Sequence, residues 1–462
     1  KINNGLTWYK SAKREKKMAN KKIIFFLIFI LGLIIVSFKL KIDLERDLIW
    51  HLKENLPSKV VIFFKKTNLF YNHNIRKKII LTQKETNEEI KTDSNNYYLT
   101  KYSNPLFKKN GPKSYIEIFN EKLILITGTG ILSFSDLKNF DKKKVNLKII
   151  RNNLSEIATF DYIARNPELI VDILVQKNKI FVSYLNEVEK DCYGISLVMG
   201  TINFKKINFK KVFSPKECVK KKNDYGEFKM VQSGGALAVY SDDQILLTTG
   251  DYRFRDLAQN INSIFGKVLL INFKNNKYKI VSMGHRNPQG IFYDKKNDNI
   301  FFSEHGPFGG DEINIISDPL ANIKNFGWPI SSYGEHYGGR IERNKKKYLK
   351  APLNKSHLKY GFTEPSIYFA RSIGPTKITK IPGKFNKENS DQIFLASLGL
   401  DNKKGRRSIH NYLLKEGQKL ELIEIIALNE RIRDFFYSKD KNEIFLFLEN
   451  SGSVGILKNN LK

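Results

Sequence analysis

The stretch that most constrains the fold spans residues 284–337 and has the sequence GHRNPQGIFYDKKNDNIFFSEHGPFGGDEINIISDPLANIKNFGWPISSYGEHY. Three of the seven histidines, His285, His305 and His336, fall inside it. Glycine and proline separate its polar residues from a short apolar run at residues 299–303, a pattern typical of tight loops at strand ends. Because rigid loops often present ligand sites, we expect site residues here.

The apolar run belongs to a phrase that recurs along the chain. It is found in GGALAVYSDDQILLTTGD (234–251), PQGIFYDKKNDNIFFSEHG (288–306) and RIRDFFYSKDKNEIFLFLEN (431–450). Each copy predicts a strand, a turn rich in Asp, Asn and Lys, and a second strand. Such units recurring at roughly 45 to 60 residues are typical of propeller blades, and about six fit after residue 97. A β-sandwich or two barrels would not repeat the phrase so often. We predict an all-β, six-bladed β-propeller over residues 96–462.

Composition supports a folded body without a nucleic-acid partner. Hydrophobic residues make up 41% and aromatic residues 12% of the 462 residues, which is too much burial potential for a disordered chain. The formal charge is +32, from 79 basic and 47 acidic residues. The lysines are spread over nearly every turn and form no basic stripe, which favours a solvated surface over nucleic-acid binding.

The N-terminal region predicts a membrane anchor. Residues 1–22 form a basic segment, and residues 23–38 (IIFFLIFILGLIIVSF) carry no charge and are flanked by lysines. A span of this length with snorkelling lysines is consistent with a single transmembrane helix preceding the propeller. The basic flank predicts a cytoplasmic N-terminus, an inner (cytoplasmic) membrane location, and a body in the periplasm or outside. A cleaved signal peptide is the alternative, but no small-residue cleavage site follows.

Two further assignments complete the domain organisation. Residues 39–95 are interpreted as a juxtamembrane stalk that could contain a helix and a strand. Cys192 and Cys218 permit one intrachain pairing. An exported body makes a disulfide plausible, and two free buried thiols are the alternative.

The segments GHRNPQG, SEHGPFGGDEINII and NFGWPISSYGEHY resemble the soluble glucose dehydrogenase and aldose sugar dehydrogenase family. Its members are six-bladed propellers that use pyrroloquinoline quinone (PQQ) and calcium. The resemblance covers residues 234–337 closely and becomes thinner toward the C-terminus, where SIGPTKI and ERIRDFF are similar to later family motifs. Three ordered motifs of this length are far more specific than one short pattern.

The resemblance implies site residues at matching positions. Asn287 and Gln289 correspond to residues that contact the quinone or line its pocket, with Arg286 beside them. Gly306 and Pro307 correspond to the pair whose main-chain carbonyls bind calcium, a suitable ligand type for a hard cation. Arg431 and Arg433 correspond to the arginines that meet the cofactor's carboxylates, a task that suits guanidinium groups. Because they alternate on a predicted strand, both should face one side and need an anionic partner.

The sequence departs from the family pattern where the general base is expected. The family has a histidine there, whereas KMVQSGGALAVY places Gln232 at that position, and no histidine lies between His73 and His285. An amide side chain has no useful proton affinity, so His305 is the candidate for a relocated base. Gly399 stands near the position of a lysine that holds the quinone, with Lys403 or Lys404 a few residues on, and Phe369 stands at that of a tryptophan.

Other polar residues have plausible structural roles. His285 is expected to buttress its loop by hydrogen bonding, and Asp311 and Glu312 to cap a turn rather than bind a metal. His410 is expected to be structural and Trp328 to be a packing anchor. His336 could equally reach the mouth of a central channel or lie outside it.

The leading functional hypothesis is a membrane-anchored dehydrogenase that oxidises a sugar or another alcohol with PQQ and calcium and passes electrons to a membrane acceptor. The alternative is a propeller that has lost catalysis and acts as a ligand- or protein-binding module. A weaker third hypothesis is a metal-assisted hydrolase, because propellers also host such sites.

Overall fold

The computed structural model describes residues 57–107, 113–222, 227–335, 354–386, 390–401, 405–415 and 419–460. The described residues divide into two units with the boundary between residues 65 and 66. Among the described residues, none of the helices has the length and apolar character needed to span a membrane. The predicted anchor at residues 23–38 and His336 lie outside the described residues.

Helices are few and short in the described part of the chain. They are α1 (Ser58–Phe70), followed by a π-helical turn (Tyr71–Ile75), α2 (Leu154–Ile157), α3 (Phe160–Arg165) and α4 (Asp256–Gln259). Single 3-10 turns occur at Pro105–Phe107, Leu137–Asp141, Leu358–Tyr360 and Gly383–Phe385. The remaining regular secondary structure of the described residues is strand, which confirms the predicted all-β body.

Twenty-eight strands are described. The first half comprises β1 (Lys78–Lys91), β2 (Asn96–Ser103), β3 (Ser114–Phe119), β4 (Lys122–Thr127), β5 (Leu132–Asp136), β6 (Lys144–Asn152), β7 (Ile170–Gln176), β8 (Lys179–Glu189), β9 (Cys192–Thr201), β10 (Lys206–Ile207), β11 (Lys210–Phe213), β12 (Val219–Lys220), β13 (Gly234–Ser241) and β14 (Gln244–Thr249). The second half comprises β15 (Lys267–Asn272), β16 (Lys277–Met283), β17 (Pro288–Asp294), β18 (Asn299–Glu304), β19 (Asp311–Ser317), β20 (Lys324–Asn325), β21 (Ile367–Phe369), β22 (Pro375–Ile381), β23 (Gln392–Ser397), β24 (Ser408–Leu414), β25 (Leu420–Ala427), β26 (Ile432–Ser438), β27 (Glu443–Leu448) and β28 (Ser453–Asn459).

The main strands of the described ranges form antiparallel groups of four. Four groups are β7-β8-β9-β11, β13-β14-β15-β16, β17-β18-β19-β21 and β22-β23-β24-β25. Two more, β3-β4-β5-β6 and β26-β27-β28-β2, are joined through β1 into one ten-stranded sheet. The recurring sequence phrase corresponds to β13–β14, β17–β18 and β26–β27, which are the first two strands of their groups. The repeat prediction is therefore confirmed at these three places.

The first strands of the groups lie side by side in chain order. β3 lies against β7, β7 against β13, β13 against β17, β17 against β22, β22 against β26, and β26 against β3. Apolar clusters fill the space between neighbouring groups, as between β14 and β18, where Leu246, Ile291, Ile300 and Phe302 are buried together. This arrangement is propeller-like and brings the first strands around a common centre.

The N-terminal strands differ from the predicted organisation. β2 pairs with the C-terminal strand β28, with Tyr97 opposite Asn459, so the two ends of the body close one sheet. β1 also belongs to this sheet, because it pairs with β2 on one edge and β6 on the other. The boundary that the sequence suggested between residues 95 and 96 therefore falls inside the sheet, since residues 78–91 are one of its strands and not part of a stalk.

A disulfide joins Cys192, at the start of β9, to Cys218. This settles the alternative that the sequence left open, because both sulfurs are used. The bond ties the segment before β12 to the edge of the second group, where Val219 pairs with Tyr193.

Candidate functional site

A central cavity lies where the first strands meet. It is a narrow space lined by Tyr115, Val171, Asp172, Gly234, Ala236, Gln289, Lys377, Arg433 and Asp434. Each of the six groups contributes at least one of these residues from its first strand. Of the predicted site residues, Gln289 and Arg433 are thereby brought together, with Arg433 Nη1 3.5 Å from Gln289 Oε1.

The two predicted arginines face one side and share one acidic partner. Arg431 Nε donates to Glu449 Oε2 at 3.0 Å, and Arg433 Nε donates to Glu449 Oε1 at 2.5 Å. Burial alone would raise the pKa of Glu449, but Arg433, Lys113 and Arg431 outweigh it and bring the pKa to about 2. The anionic partner that the sequence required is therefore supplied, at least in part, by the chain itself.

A second ion pair lies beside this one. Lys113 Nζ is 2.6 Å from Glu168 Oε2. Burial and the nearby Arg433 lower the pKa of Lys113. Together with Arg431, Arg433 and Glu449 these residues form what we call the arginine cluster, which has three basic and two acidic side chains. Its formal charge is thus +1.

Charged residues deeper in the central cavity link neighbouring groups. Asp172 accepts hydrogen bonds from the main-chain N–H of Ile173 and of Leu237, the latter in the next group. Asp434 accepts from Phe435 and from Ile116 in the same way. These contacts connect the second group to the third and the sixth to the first.

Lys377 partly balances the carboxylates at this depth. Its Nζ lies 3.6 Å from Asp434 Oδ1. Burial still raises the pKa of Asp172 to about 6 and raises the pKa of Glu117 well above its usual value. These groups have an evident structural role at the inner ends of the strands.

A second space, the loop cavity, lies beneath the loops between residues 284 and 335. It is also narrow and is lined by Gly284, Arg286, Glu304, His305, Gly306, Gly310, Glu312, Phe326, Trp328, Ser331, Ser332 and His357. Arg286, His305 and Gly306 therefore line a different space from Gln289 and Arg433. The predicted cofactor set is divided between two adjoining cavities.

His305 is held in a defined tautomer. Its Nε2 lies 2.7 Å from Pro375 O, and because a carbonyl only accepts, Nε2 carries the hydrogen. Nδ1 then carries the lone pair of the neutral ring. Burial lowers the pKa of His305, and Arg286 and Arg433 are close enough to lower it further. The main-chain oxygen of His305 accepts from Arg286 Nη1 at 2.9 Å.

Gln232 is held away from any role in proton transfer. It is buried, and its Nε2 donates to Asp251 Oδ1 at 2.6 Å. Asp251 also accepts from the indole Nε1 of Trp328 at 2.7 Å and from the main-chain N–H of Arg253. Arg286 completes this glutamine network, because its guanidinium lies 5.5 Å from the ring centre of Trp328. Trp328 is a packing anchor, as expected, and also a hydrogen-bond donor.

Asn287 serves the contact between two groups. Its Oδ1 accepts from Gly234 N at 3.1 Å and from Gln289 Nε2 at 3.1 Å. The side chain is buried. In this structure Asn287 positions Gln289 and the start of β13, and Gln289 is the member of the pair that lines the central cavity.

The loop that carries Gly306 and Pro307 is organised by Asp311. The Asp311 carboxylate accepts from the main-chain N–H of Gly306, Ile373 and Gly374. A Cβ on Gly306 would lie 2.1 Å from Gly310 O, so the turn is too tight for another residue. Among the described residues, no hydrogen bond is formed to the main-chain oxygen of Gly306 or Pro307. Those two oxygens are the donors that a hard cation would use.

Buried acids and histidines behind the loop form a hydrogen-bonded chain. His285 contacts Ser282 Oγ at 2.7 Å and Glu304 Oε1 at 3.2 Å, which confirms its buttressing role. Asn314 Nδ2 donates to Glu304 and to Glu312. Burial raises the pKa of Glu312 to about 7. Likewise His410 Nε2 contacts Gly405 O inside the fifth group and has the expected structural role.

Three functional contacts were not found from the sequence. Glu449 pairs with the arginines from the start of a turn, 16 and 18 residues along the chain. Asp251 holds Gln232 from across a hairpin, and Lys113 reaches the cluster from the first group. The recurring phrase ends near an acidic residue, Asp251 in one copy and Glu449 in another. This position was the sequence signal that could have indicated two of these contacts.

Comparisons with known proteins identify a family. The family model described as glucose/sorbosone dehydrogenase matches residues 170–457. An uncharacterized protein of Synechocystis is 27% identical over 244 residues, which are 48% of this chain and 54% of that protein. The aldose sugar dehydrogenase YliI of Escherichia coli is 26% identical over 213 residues, which are 43% of this chain and 52% of the relative. The chain thus spans about half the length of these relatives.

Solved structures show the same fold over a longer range. The apo form of the soluble aldose sugar dehydrogenase of Escherichia coli superposes with a TM-score of 0.58 and 18% identity, covering 79% of this chain and 100% of that one. The PQQ-bound aldose sugar dehydrogenase of Streptomyces coelicolor superposes with a TM-score of 0.52 and 15% identity, covering 79% and 98%. This share of the chain is larger than the range 170–457 that the family model matches.

Proposed function

Because the chain belongs to the glucose/sorbosone dehydrogenase family, we propose that it is a quinoprotein dehydrogenase that oxidises a sugar or another alcohol with PQQ and calcium. The observation that carries this proposal is the meeting of Arg433 and Gln289 in the central cavity, with His305 lining the loop cavity. Relatives with sugar dehydrogenase names support the substrate class.

The proposal includes the architecture and location. The six groups of four strands are taken as the six blades of a closed propeller, with β2 completing the last blade. Residues 23–38 are taken as an anchor in the cytoplasmic membrane, with the N-terminus inside and the body in the periplasm or outside. The Cys192–Cys218 bond supports a body in an oxidising compartment. A membrane electron acceptor would then be within reach of the body.

The residues present suit the two implied groups. PQQ is an anionic quinone that accepts a hydride from the substrate carbon when bound. Arg433 would hold one of its carboxylates, and Gln289, which lies 3.5 Å from Arg433, would contact the cofactor beside it. The main-chain oxygens of Gly306 and Pro307 would hold calcium, because they lack other partners among the described residues and Asp311 fixes their loop.

Proton removal is assigned to His305. The amide of Gln232 cannot accept a proton at neutral pH, and its hydrogen bond to Asp251 fixes it in place. His305 donates through Nε2 to Pro375 O and so presents its lone pair at Nδ1. A substrate hydroxyl placed at Nδ1 would lose its proton there. Arg286 fixes the His305 backbone through its main-chain oxygen.

A binding module without catalysis is the second candidate function. Two observations favour it: Gln232 stands where the family has its base, and Glu449 already engages Arg431 and Arg433. In that case the central cavity would hold an anionic ligand without oxidising a substrate.

One experiment separates the candidates. The full chain in detergent is supplied with calcium and PQQ, and cofactor absorbance and dye reduction are followed with a panel of aldoses and simple alcohols. PQQ uptake with dye reduction supports the dehydrogenase, and PQQ uptake without dye reduction supports the binding module. If PQQ is not taken up, neither a PQQ-dependent dehydrogenase nor a PQQ-binding module is supported.

The base is tested by His305→Gln. Turnover should fall by about 10²-fold or more, while PQQ uptake changes little. The matched control is His73→Gln, because His73 is buried and its Nε2 also contacts a main-chain oxygen, that of Thr129, in the first group. Equal losses in both variants would argue against His305 as the base.

A further inference from the structure

The end of α1 and the π-helical turn that follows it have an inner face that packs on the body. Leu69, Asn72 and His73 are buried there. His73 Nε2 contacts Thr129 O at 3.0 Å, and the main-chain oxygen of His73 accepts a hydrogen bond from Arg151 Nη1 at 2.5 Å. These contacts hold the turn against the first group of strands.

The outer face of the same segment carries exposed apolar side chains. Phe70, just before the π-helical turn, is 51% exposed, and Ile75, at its end, is 53% exposed. Because a π-helix joins residues five apart, these two side chains lie near each other on the outer face. In β1 the side chains alternate, so that Ile79 and Leu81 are buried whereas Ile80 is 41% exposed. A cluster of large apolar side chains that faces away from the core is typical of an interaction surface.

The charges around these apolar side chains are all basic. Residues 55–84 contain six lysines and one arginine and no aspartate or glutamate. Lys77 and Lys78 are exposed between Ile75 and Ile80. Exposed phenylalanine and isoleucine among lysines, without acids, are the composition of segments that lie on an anionic lipid surface.

The position of this segment in the chain points to the same partner. The proposed anchor, residues 23–38, ends about twenty residues before the first described residue, and a chain of that length spans at most about 70 Å even when fully extended. A tether of this kind gives an effective concentration of the order of millimolar, so a weak contact with the membrane is enough to hold the body there.

We propose that Phe70, Ile75, Ile80, Lys77 and Lys78 form a surface, the N-terminal surface, that docks on an anionic phospholipid bilayer. The apolar side chains enter the headgroup region, and the lysines pair with lipid phosphates. The inference rests on the proposed function only in taking the anchored membrane as the partner, and it does not depend on PQQ or catalysis. Docking would fix the orientation of the body on the membrane.

The test places a fluorescent reporter on this surface of the full chain. Because Cys192 and Cys218 are the two cysteines and form a disulfide, Ile75→Cys adds the single free thiol, which is labelled with the dye NBD. The labelled chain is reconstituted into phosphatidylcholine vesicles with or without phosphatidylglycerol, and quenching by doxyl-labelled lipid is measured. Phe70→Cys is a second reporter. Ile323→Cys is the matched control, because Ile323 is also exposed and lies beside β20 in the third group.

The expected result is quenching that depends on position and on lipid charge. Reporters at residues 70 and 75 should be quenched several-fold more than the reporter at residue 323 in vesicles with phosphatidylglycerol, and less in vesicles without it. Equal quenching at residues 75 and 323, or none at either, would overturn the proposal. A reporter at residue 75 that is shielded from acrylamide but not quenched by doxyl-labelled lipid would also overturn it, because the chain itself or a second copy would then cover the surface.

The role of the lysines is tested in the chain that carries the reporter at residue 75. Lys77→Gln combined with Lys78→Gln should lower the ratio of membrane-bound to free reporter by roughly tenfold or more. Lys210→Gln combined with Lys211→Gln removes the same charge from an exposed pair on β11 and should change the ratio little. Equal losses would show that overall charge, and not this surface, holds the body. Thermal unfolding verifies that each variant is native.

Flotation of the vesicles separates the inference from the proposed location. A chain that floats with both kinds of vesicle, with no quenching at residue 75, supports the anchor and overturns the inference. A chain that floats only with anionic vesicles, with quenching at residue 75, supports the inference and contradicts the anchor. A chain that floats with neither contradicts both.

Discussion

Arg433 and Gln232 both lie near the inner end of a first strand, and each is held by a carboxylate from a neighbouring segment. Glu449 forms an ion pair with Arg433, whereas Asp251 accepts a hydrogen bond from the neutral amide of Gln232. Asp251 is instead balanced at a distance by Arg286, which stacks on Trp328. The same kind of acid therefore completes a charged site on one side and a rigid hydrogen-bond network on the other.

The difference separates the two tasks of the proposed site. The arginine cluster keeps its charge and can bind an anion. In the glutamine network the amide of Gln232 has no useful proton affinity, so the base is assigned to the loop with His305. Variants on each side should therefore lose different properties, and we expect their effects to fall in the following order.

The largest effect is expected from Arg433→Leu. Removing this guanidinium leaves Glu449 almost buried with Arg431 as its remaining direct partner, and breaking such a pair costs about 3–5 kcal/mol of unfolding free energy. Urea denaturation measures the loss, and anion binding should disappear in the same variant. Arg165→Leu is the control, because Arg165 forms an ion pair at the surface with Asp161. A loss no larger than that of the control would show that the cluster is not built as an ion pair.

The next largest effect is the pH dependence of the unfolding free energy that Glu449 causes. Its pKa is lowered from 4.5 to about 2 in the folded chain, so its contribution to stability is complete above the unfolded pKa and is lost as pH falls through the folded one. The contribution is about 3 kcal/mol, lost between pH 5 and pH 2.

Unfolding free energies of the wild type and Glu449→Gln measure it. The difference between the two proteins should shrink by about that amount over this range as the pH is lowered. Curves that stay parallel from pH 5 to pH 2 would show that Glu449 is not strongly paired in solution.

A smaller loss is expected from Asp251→Asn on the glutamine side. Asp251 accepts hydrogen bonds from Gln232, Trp328 and Arg253. In the asparagine variant the side-chain NH₂ group would face one of these three N–H donors. Leaving one buried donor unsatisfied costs about 2 kcal/mol. Urea denaturation with tryptophan fluorescence is the measurement. Asp242→Asn, on an exposed turn, should change the midpoint little; equal shifts would contradict the network.

The sequence predicted the parts of this molecule that repeat. The recurring phrase located β13–β14, β17–β18 and β26–β27, because alternating apolar residues and a polar turn are local signals. It also placed Arg431 and Arg433 on one side. The sequence favoured a stalk for residues 78–91, which form β1. Nothing in the local sequence indicates that β1 pairs with β2 and β6.

The site was predicted less completely than the fold. Gln289 and Arg433 meet in the central cavity, but Asn287 is engaged between two groups, and Arg286 and His305 line the loop cavity. The roles of Glu449 and Asp251 depend on contacts between segments that only the folded chain brings together. A carboxylate that neutralises a predicted binding residue is not visible in a motif that contains only the binding residue.

The smallest effect is expected from Arg286→Lys, which tests the boundary between the two sides. Lysine keeps the charge that balances Asp251 but loses the planar contact with Trp328 and the fixed hydrogen bond to His305 O. We expect a loss of about 1 kcal/mol in unfolding free energy. If His305 is the base, turnover should fall further than this loss implies, because the backbone of His305 is no longer fixed. If Arg286→Lys changed anion affinity as much as Arg433→Leu does, Arg286 would belong to the anion site. The arginine cluster and the glutamine network would then form a single site.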